Sequence, residues 1–144
     1  MLRRLTATSS SWVTLPLRLA LGAVFIAHGS QKVLGTFNGP GWAKWTSMSQ
    51  LAPFPFMRPT WLWLGAAAVS ELVGGILILL GFLTRVGAFL ITCVMLTAII
   101  GMLWPAFFMP TGMEFAVACL GGLLALLIAG GGQASVDRII SGRR

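Results

Sequence analysis

Four apolar stretches set the terms on which this chain can fold. They cover residues 15–34, 60–82, 86–104 and 112–130. An α-helix rises about 1.5 Å per residue and needs about 20 apolar residues to cross the hydrocarbon core of a bilayer. Each stretch therefore reads as a membrane-spanning helix. The breaks between them are well marked. Asn38, Gly39, Pro40 and Gly41, then Pro53, Pro55 and Pro59, separate the first from the second. Gly81, Thr84 and Arg85 turn the second into the third, Pro105 and Pro110 separate the last two, and three glycines from Gly130 end the fourth. Only 9% of the chain is charged, against about 25% in a soluble domain. The expected architecture is all-α: an integral membrane four-helix bundle in one domain over 1–144, without an internal repeat.

Charge gives an orientation and excludes a partner. The ten basic residues outnumber the acidic Glu71, Glu114 and Asp137 by seven. They sit mostly at the edges of apolar runs, where lipid headgroups lie, so no nucleic-acid role is expected. Arg3, Arg4, Arg18, Arg85, Arg138, Arg143 and Arg144 fall at one end of the bundle, and Lys32, Lys44 and Arg58 at the other. The positive-inside rule then puts both termini in the cytoplasm. The N-terminus resembles a secretory signal, but its apolar run is too long and lacks a small-x-small cleavage site, so it reads as an uncleaved first span. Residues 36–59, with Trp42, Trp45, Phe54 and Phe56 and followed by Trp61 and Trp63, read as an aromatic-rich interfacial segment with a short helix near 41–50. Arg18 and Arg85 read as inner-interface anchors, with Asp137 pairing one of them.

The stretch FIAHGSQKVLG, from Phe25, is the unusual part of the first span. His28 is the single histidine of the chain, and Lys32 follows it at i+4 on the same helix face. Glu71 falls near the middle of the second span and Glu114 at the outer start of the fourth. Small residues flank both: Ala67, Ala68, Gly74 and Gly75 around Glu71, and Ala118, Gly121, Gly122 and Ala125 after Glu114. Small residues at this spacing let helices approach closely, so both carboxylates are expected to face the bundle interior. A carboxylate at such depth must be paired, hydrated or neutral. His28, Gln31 and Lys32 are the available partners, and the five residues form the expected ligand-binding set. Lys32 with Glu114 is the pair expected to fix helix register, although Lys32 alone also suits snorkelling to the interface. His28 and Glu71 are expected to line one inward cavity and are the catalytic candidates. Cys93 and Cys119 lie in apolar runs without CxxC or zinc spacing, so no metal site is expected.

Taken together these pieces resemble the DoxX family of small membrane proteins. The likeness rests on Arg18 followed by GAVFIAHGSQKVLG, then GTFNGPG, SELVGGILILLGFLTR, GMEF and GGGQASVD, in that order over nearly the whole chain. The resemblance implies a four-helix membrane bundle in the bacterial plasma (inner) membrane. It implies a link to quinone-coupled oxidation of sulfur compounds, through the related DoxD subunit of thiosulfate:quinone oxidoreductase, and to redox-stress complexes. Where many members carry a histidine late in the third span and a glycine before the paired Phe, this chain has Leu103 and Ala106. That leaves no second histidine for metal or proton chemistry.

Two functions follow as expectations. One is a redox-associated membrane subunit, quinone-linked, in which His28, Gln31 and Glu71 meet the quinone carbonyls and carry protons. No cofactor is encoded by motif: a lone histidine excludes bis-histidine haem within one chain, and there is no CxxC or dinucleotide motif. Electrons would then come from a small reductant or a partner subunit. The alternative is a non-catalytic accessory or assembly subunit of a larger membrane complex. Its expected partners are the bilayer and other membrane or redox subunits, with a homo-oligomer also compatible. A transporter finds little support in four spans without a repeat.

Overall fold

A computed structural model describes residues 6, 8–108, 110 and 112–142. Those residues are all-helical, with no strand among them. Helix α1 (Thr14–Leu34) leads through α2 (Gly41–Ser47) and a 3₁₀ turn (Ser49–Leu51) to α3 (Thr60–Leu80). Helix α4 (Thr84–Ala98) runs on into a π-helical turn (Ile99–Leu103), and α5 (Glu114–Ala129) and α6 (Val136–Ser141) complete the chain. Arg3, Arg4, Arg143 and Arg144, which contribute to the expected orientation, lie outside the described residues.

The helices end where the sequence supplies a backbone that can leave the helix. Gly81 closes α3 at φ 66°, a left-handed conformation that costs glycine nothing. Its N–H returns to the Ile78 carbonyl. Along α1 and α3 glycine has a different use, which is contact. A Cβ on Gly29 would stand 2.4 Å from the backbone nitrogen of Leu72, and one on Gly75 would stand 2.8 Å from that of Ile26. The two helices thus meet backbone to backbone at small residues on both sides. Helix α3 then meets α4 at Gly74, Gly87 and Ile91, and α5 meets α1 where Gly122 faces Leu21. Phe25, Ile78, Ala88, Ile91, Leu123 and Leu126 form the centre of the core.

The outer surface is strongly apolar. Val69, Val73, Ile76, Leu80, Phe89, Leu96, Ile100, Leu124 and Ile128 are all exposed. A continuous surface of this kind marks contact with lipid or protein rather than water. Two helices, Thr60–Leu80 and Thr84–Leu103, are long and apolar enough to cross a membrane. The first and fourth expected spans fall short of that mark for different reasons. Helix α1 carries Arg18, His28, Gln31 and Lys32, and α5 has 16 residues, a length of about 24 Å against a core of about 30 Å.

Two expectations about side-chain direction are corrected. Half of the small stripe of α5 faces outward: Ala118 and Gly121 are exposed, with nothing within 4 Å of a Cβ on Gly121, while Gly122 packs toward Leu21 and Ala125 is half-buried. The inward face is Ala116, Cys119, Leu123 and Leu126. At the other end of the bundle, Arg18 and Asp137 are structural clamps. Arg18, 3% exposed, donates to the carbonyls of Ile78, Leu79, Gly131 and Ala134 at 2.6–2.9 Å. Asp137, 1% exposed, accepts from the Leu83 and Thr84 N–H groups and the Thr84 hydroxyl at 2.7–2.9 Å. The cation thus takes the carbonyl end of α3 and the anion takes the N–H end of α4, each at the favourable pole of a helix. Asp137 takes its hydrogen bonds from these three donors rather than from an arginine, while its charge attracts the nearby Arg18.

Candidate functional site

The close α1–α3 crossing determines what the last turns of α1 can reach. Lys32 and Glu71 stand on the facing sides of these helices. The Lys32 ammonium lies 2.6 Å from Glu71 Oε1 and 2.5 Å from Oε2. Glu71 is 2% exposed, and the Lys32 side chain is mostly covered. Lys32 turns its ammonium toward α3 instead of snorkelling to the interface, because its four-carbon stem can descend to the carboxylate. The ion pair that Lys32 makes is therefore with Glu71. Glu114 sits half-buried in the first turn of α5.

A third residue completes this centre. The turn after α1 brings α2 back over the helix ends, and Trp45 packs its ring 4.6 Å from the Lys32 ammonium. Its indole N–H donates 2.8 Å to the Leu64 carbonyl on α3. The ammonium is thus held between a carboxylate and an aromatic face, both favourable to a partly desolvated cation. Sequence reading assigns Trp45 to the headgroup zone. The turn at Gly39 and Pro40 is the signal that the segment folds back, and a Cβ on Gly39 would sit 2.5 Å from the Gln31 carbonyl.

This centre lines a cavity of about 450 Å³. Phe25, His28 and Lys32 of α1 line it, with Trp45 of α2 and Ser70 and Glu71 of α3. Leu90, Val94 and Met95 of α4 and Phe115 and Ala116 of α5 form the far wall. His28 is exposed, with its ring tilted against Phe115 at 6.0 Å between centroids. Of the five expected ligand residues, His28, Lys32 and Glu71 line the cavity; Gln31 and Glu114 do not. The site is mainly apolar with a strongly polar ion pair in its wall. Such a shape suits a molecule with a polar head and an apolar body.

The sequence pattern of the DoxX family matches residues 13–104, from the start of α1 through the π-helical turn after α4. The chain belongs to the DoxX family. The matched part of this DoxX protein holds the Lys32–Glu71 pair, Trp45 and the α3 and α4 walls of the cavity. The wall formed by Phe115 and Ala116 lies beyond it. Membership, with the two apolar helices, makes the chain membrane-associated. No curated protein and no solved structure matches it.

Proposed function

We propose that this DoxX protein is a redox-associated membrane subunit whose cavity binds a quinone-type molecule. The observation that carries the reading is the Lys32–Glu71 pair in the wall of a mainly apolar cavity that His28 also lines. A quinone has the matching form, with a ring bearing two carbonyls and an apolar chain. The Lys32 ammonium is a donor for one carbonyl, and His28 at the rim is a donor or proton carrier for the other. Glu71, held against the ammonium, is the carboxylate through which a proton would pass. The chain itself supplies binding and proton handling, while electrons come from a small reductant or a partner subunit.

In this reading α1 and α5 cross the bacterial inner membrane along with α3 and α4, and both termini lie in the cytoplasm. The outward apolar residues of all four helices meet lipid. Burial of Arg18 in hydrogen bonds to four carbonyls supports the crossing of α1, since it removes the main charge penalty in that helix.

The exposed small-residue face of α5 favours a second reading, an accessory subunit that packs Ala118 and Gly121 against another membrane helix. Purification in mild detergent, followed by solvent extraction and mass spectrometry, separates the two. The quinone reading expects quinone to accompany the wild-type protein. It should be lost from the Lys32→Met/Glu71→Gln double variant, which removes both charges without stranding either. A stoichiometric larger complex without quinone would support the accessory reading.

A further inference from the structure

We infer that the cavity opens sideways between the outer halves of α3 and α4, and that this doorway holds the hydrocarbon chain of a ligand whose head sits at Lys32–Glu71. The inference rests on the quinone reading of the cavity and adds how the ligand gets in and what class it belongs to: a chain-bearing quinone taken from the bilayer.

The argument comes from which side of each helix lines the cavity. On α3 the lining runs from buried Glu71 through Ala67 and Ser70 to Ala66, which is exposed. At about 100° per residue, this is an arc of about 140°. It passes across the stripe that meets α4 deeper in the bundle at Gly74. On α4 the lining runs from buried Met95 through Val94 to exposed Cys93. It too crosses the stripe that faces α3. Two packed helices would interrupt a cavity along their facing stripes. Here those stripes are themselves cavity wall, so the helices stand apart in this region.

The opening has a floor and a roof. At the floor α3 and α4 touch, since a Cβ on Gly74 would stand 2.9 Å from Ile91 Cγ1 and one on Gly87 would stand 2.8 Å from the Gly74 carbonyl. At the roof the segment before α3 is wedged against the π-helical turn that follows α4, where a Cβ on Gly101 would crowd Pro53 Cγ. Phe56 and Met57 of this segment line the cavity from above. The sides of the doorway are small: Ala66 and Ala67 on one helix, Cys93, Thr97 and Ala98 on the other. The Thr97 hydroxyl donates to the Cys93 carbonyl, so it presents little unmet polarity to a hydrocarbon chain. A polar head can pass inward to the ion pair, by way of Ser70, while its chain stays in mainly apolar surroundings.

The test measures equilibrium binding to the full chain in lipid nanodiscs with two fully alkylated benzoquinones. One is tail-less tetramethylbenzoquinone, and the other carries a decyl tail. Cys93→Phe narrows the doorway from α4, Ala66→Phe narrows it from α3, and Cys93→Ser is the isosteric control. The doorway predicts that each Phe variant weakens the decyl quinone by about tenfold or more and leaves the tail-less quinone within about twofold. Cys93→Ser should change neither. Unaltered binding of the decyl quinone in both Phe variants would overturn the doorway and leave the head site standing. Equal loss of both quinones in both Phe variants would overturn it too, by showing that these residues border the head site. If neither quinone binds the wild type, the quinone reading itself fails and the doorway falls with it.

Discussion

Lys32 near the end of α1 and Glu71 in the middle of α3 form a two-pronged ion pair, with Nζ 2.6 and 2.5 Å from the two carboxylate oxygens. Both helices approach at glycines just below the pair, where Gly29 meets Leu72 and Gly75 meets Ile26, so backbone packing sets the spacing at its inner side. A buried pair of this kind gains little over two apolar residues, but breaking it strands a charge. Glu71→Gln and Lys32→Met should each destabilise the protein by about 3–5 kcal/mol. The double variant should recover most of that loss. Denaturant or thermal unfolding in detergent measures all four proteins as a double-mutant cycle. Additive losses would show that the two residues do not act as a pair.

Glycines along these helices should fall into two groups. Gly29 has the Leu72 backbone where its Cβ would be, and backbone cannot move aside as a side chain can. Gly29→Ala should therefore cost more than about 4 kcal/mol or prevent folding, through forced separation of α1 and α3. Gly121 faces open space on α5. Gly121→Ala should stabilise by up to about 1 kcal/mol, the usual gain for alanine in a helix interior. Comparing unfolding midpoints of the two variants checks the assignment of inner and outer faces.

These two glycines also show how far the sequence could be read. The helices were legible, because apolar runs bounded by proline and glycine leave few alternatives. The inward direction of Glu71 was legible because Gly74 and Gly75 follow it and a glycine pair at mid-helix suits close contact. The same rule misplaces Ala118 and Gly121 of the α5 stripe, which face outward, though it holds for Gly122. Small residues permit contact but do not require it, and burial of Leu123 and Leu126 sets the phase there. The choice of Glu71 over Glu114 for Lys32 was not legible, since depth along a helix says nothing of which neighbour it packs against. Trp45 was missed for a related reason. Its composition suits the headgroup zone, and only the folding-back of α2 brings its ring to the ammonium.

The inner clamps give a third prediction. Asp137 is satisfied by three donors at the start of α4, and its loss leaves buried N–H groups without partners. Asp137→Ala should cost about 2–4 kcal/mol, the range expected when a buried group with charge-assisted hydrogen bonds is removed. Asp137→Asn keeps an acceptor and should cost less. Arg18→Met strands four carbonyls and should cost at least as much as Asp137→Ala. Because both residues lie away from the cavity, all three variants that fold should match the wild type in extracted quinone. Unfolding measurements and extracted quinone, read side by side, separate this structural role from the site.

The last prediction decides how many helices cross the membrane. Helices Thr60–Leu80 and Thr84–Leu103 qualify by length and composition alone, whereas α5 is short and α1 carries charge. If only those two cross, Ser49 before the first and Ser141 after the second lie on the same side of the membrane. If α1 and α5 cross as well, Ser49 and Ser141 lie on opposite sides. The arginine-rich end is formed by the start of α1, the α3–α4 turn and α6, which Arg18 and Asp137 bind together. The positive-inside rule places that end in the cytoplasm. A short α5 can still cross where the bilayer thins or flanking residues enter the interface, at a fraction of a kcal/mol per Å. Reporter fusions at Ser141 should therefore score as cytoplasmic, and reporters inserted at Ser49, exposed in its 3₁₀ turn, as external. The same side for both would reduce the spans to two. It would also leave Lys32 on a helix outside the membrane-crossing set, with only α3 and α4 embedded in lipid.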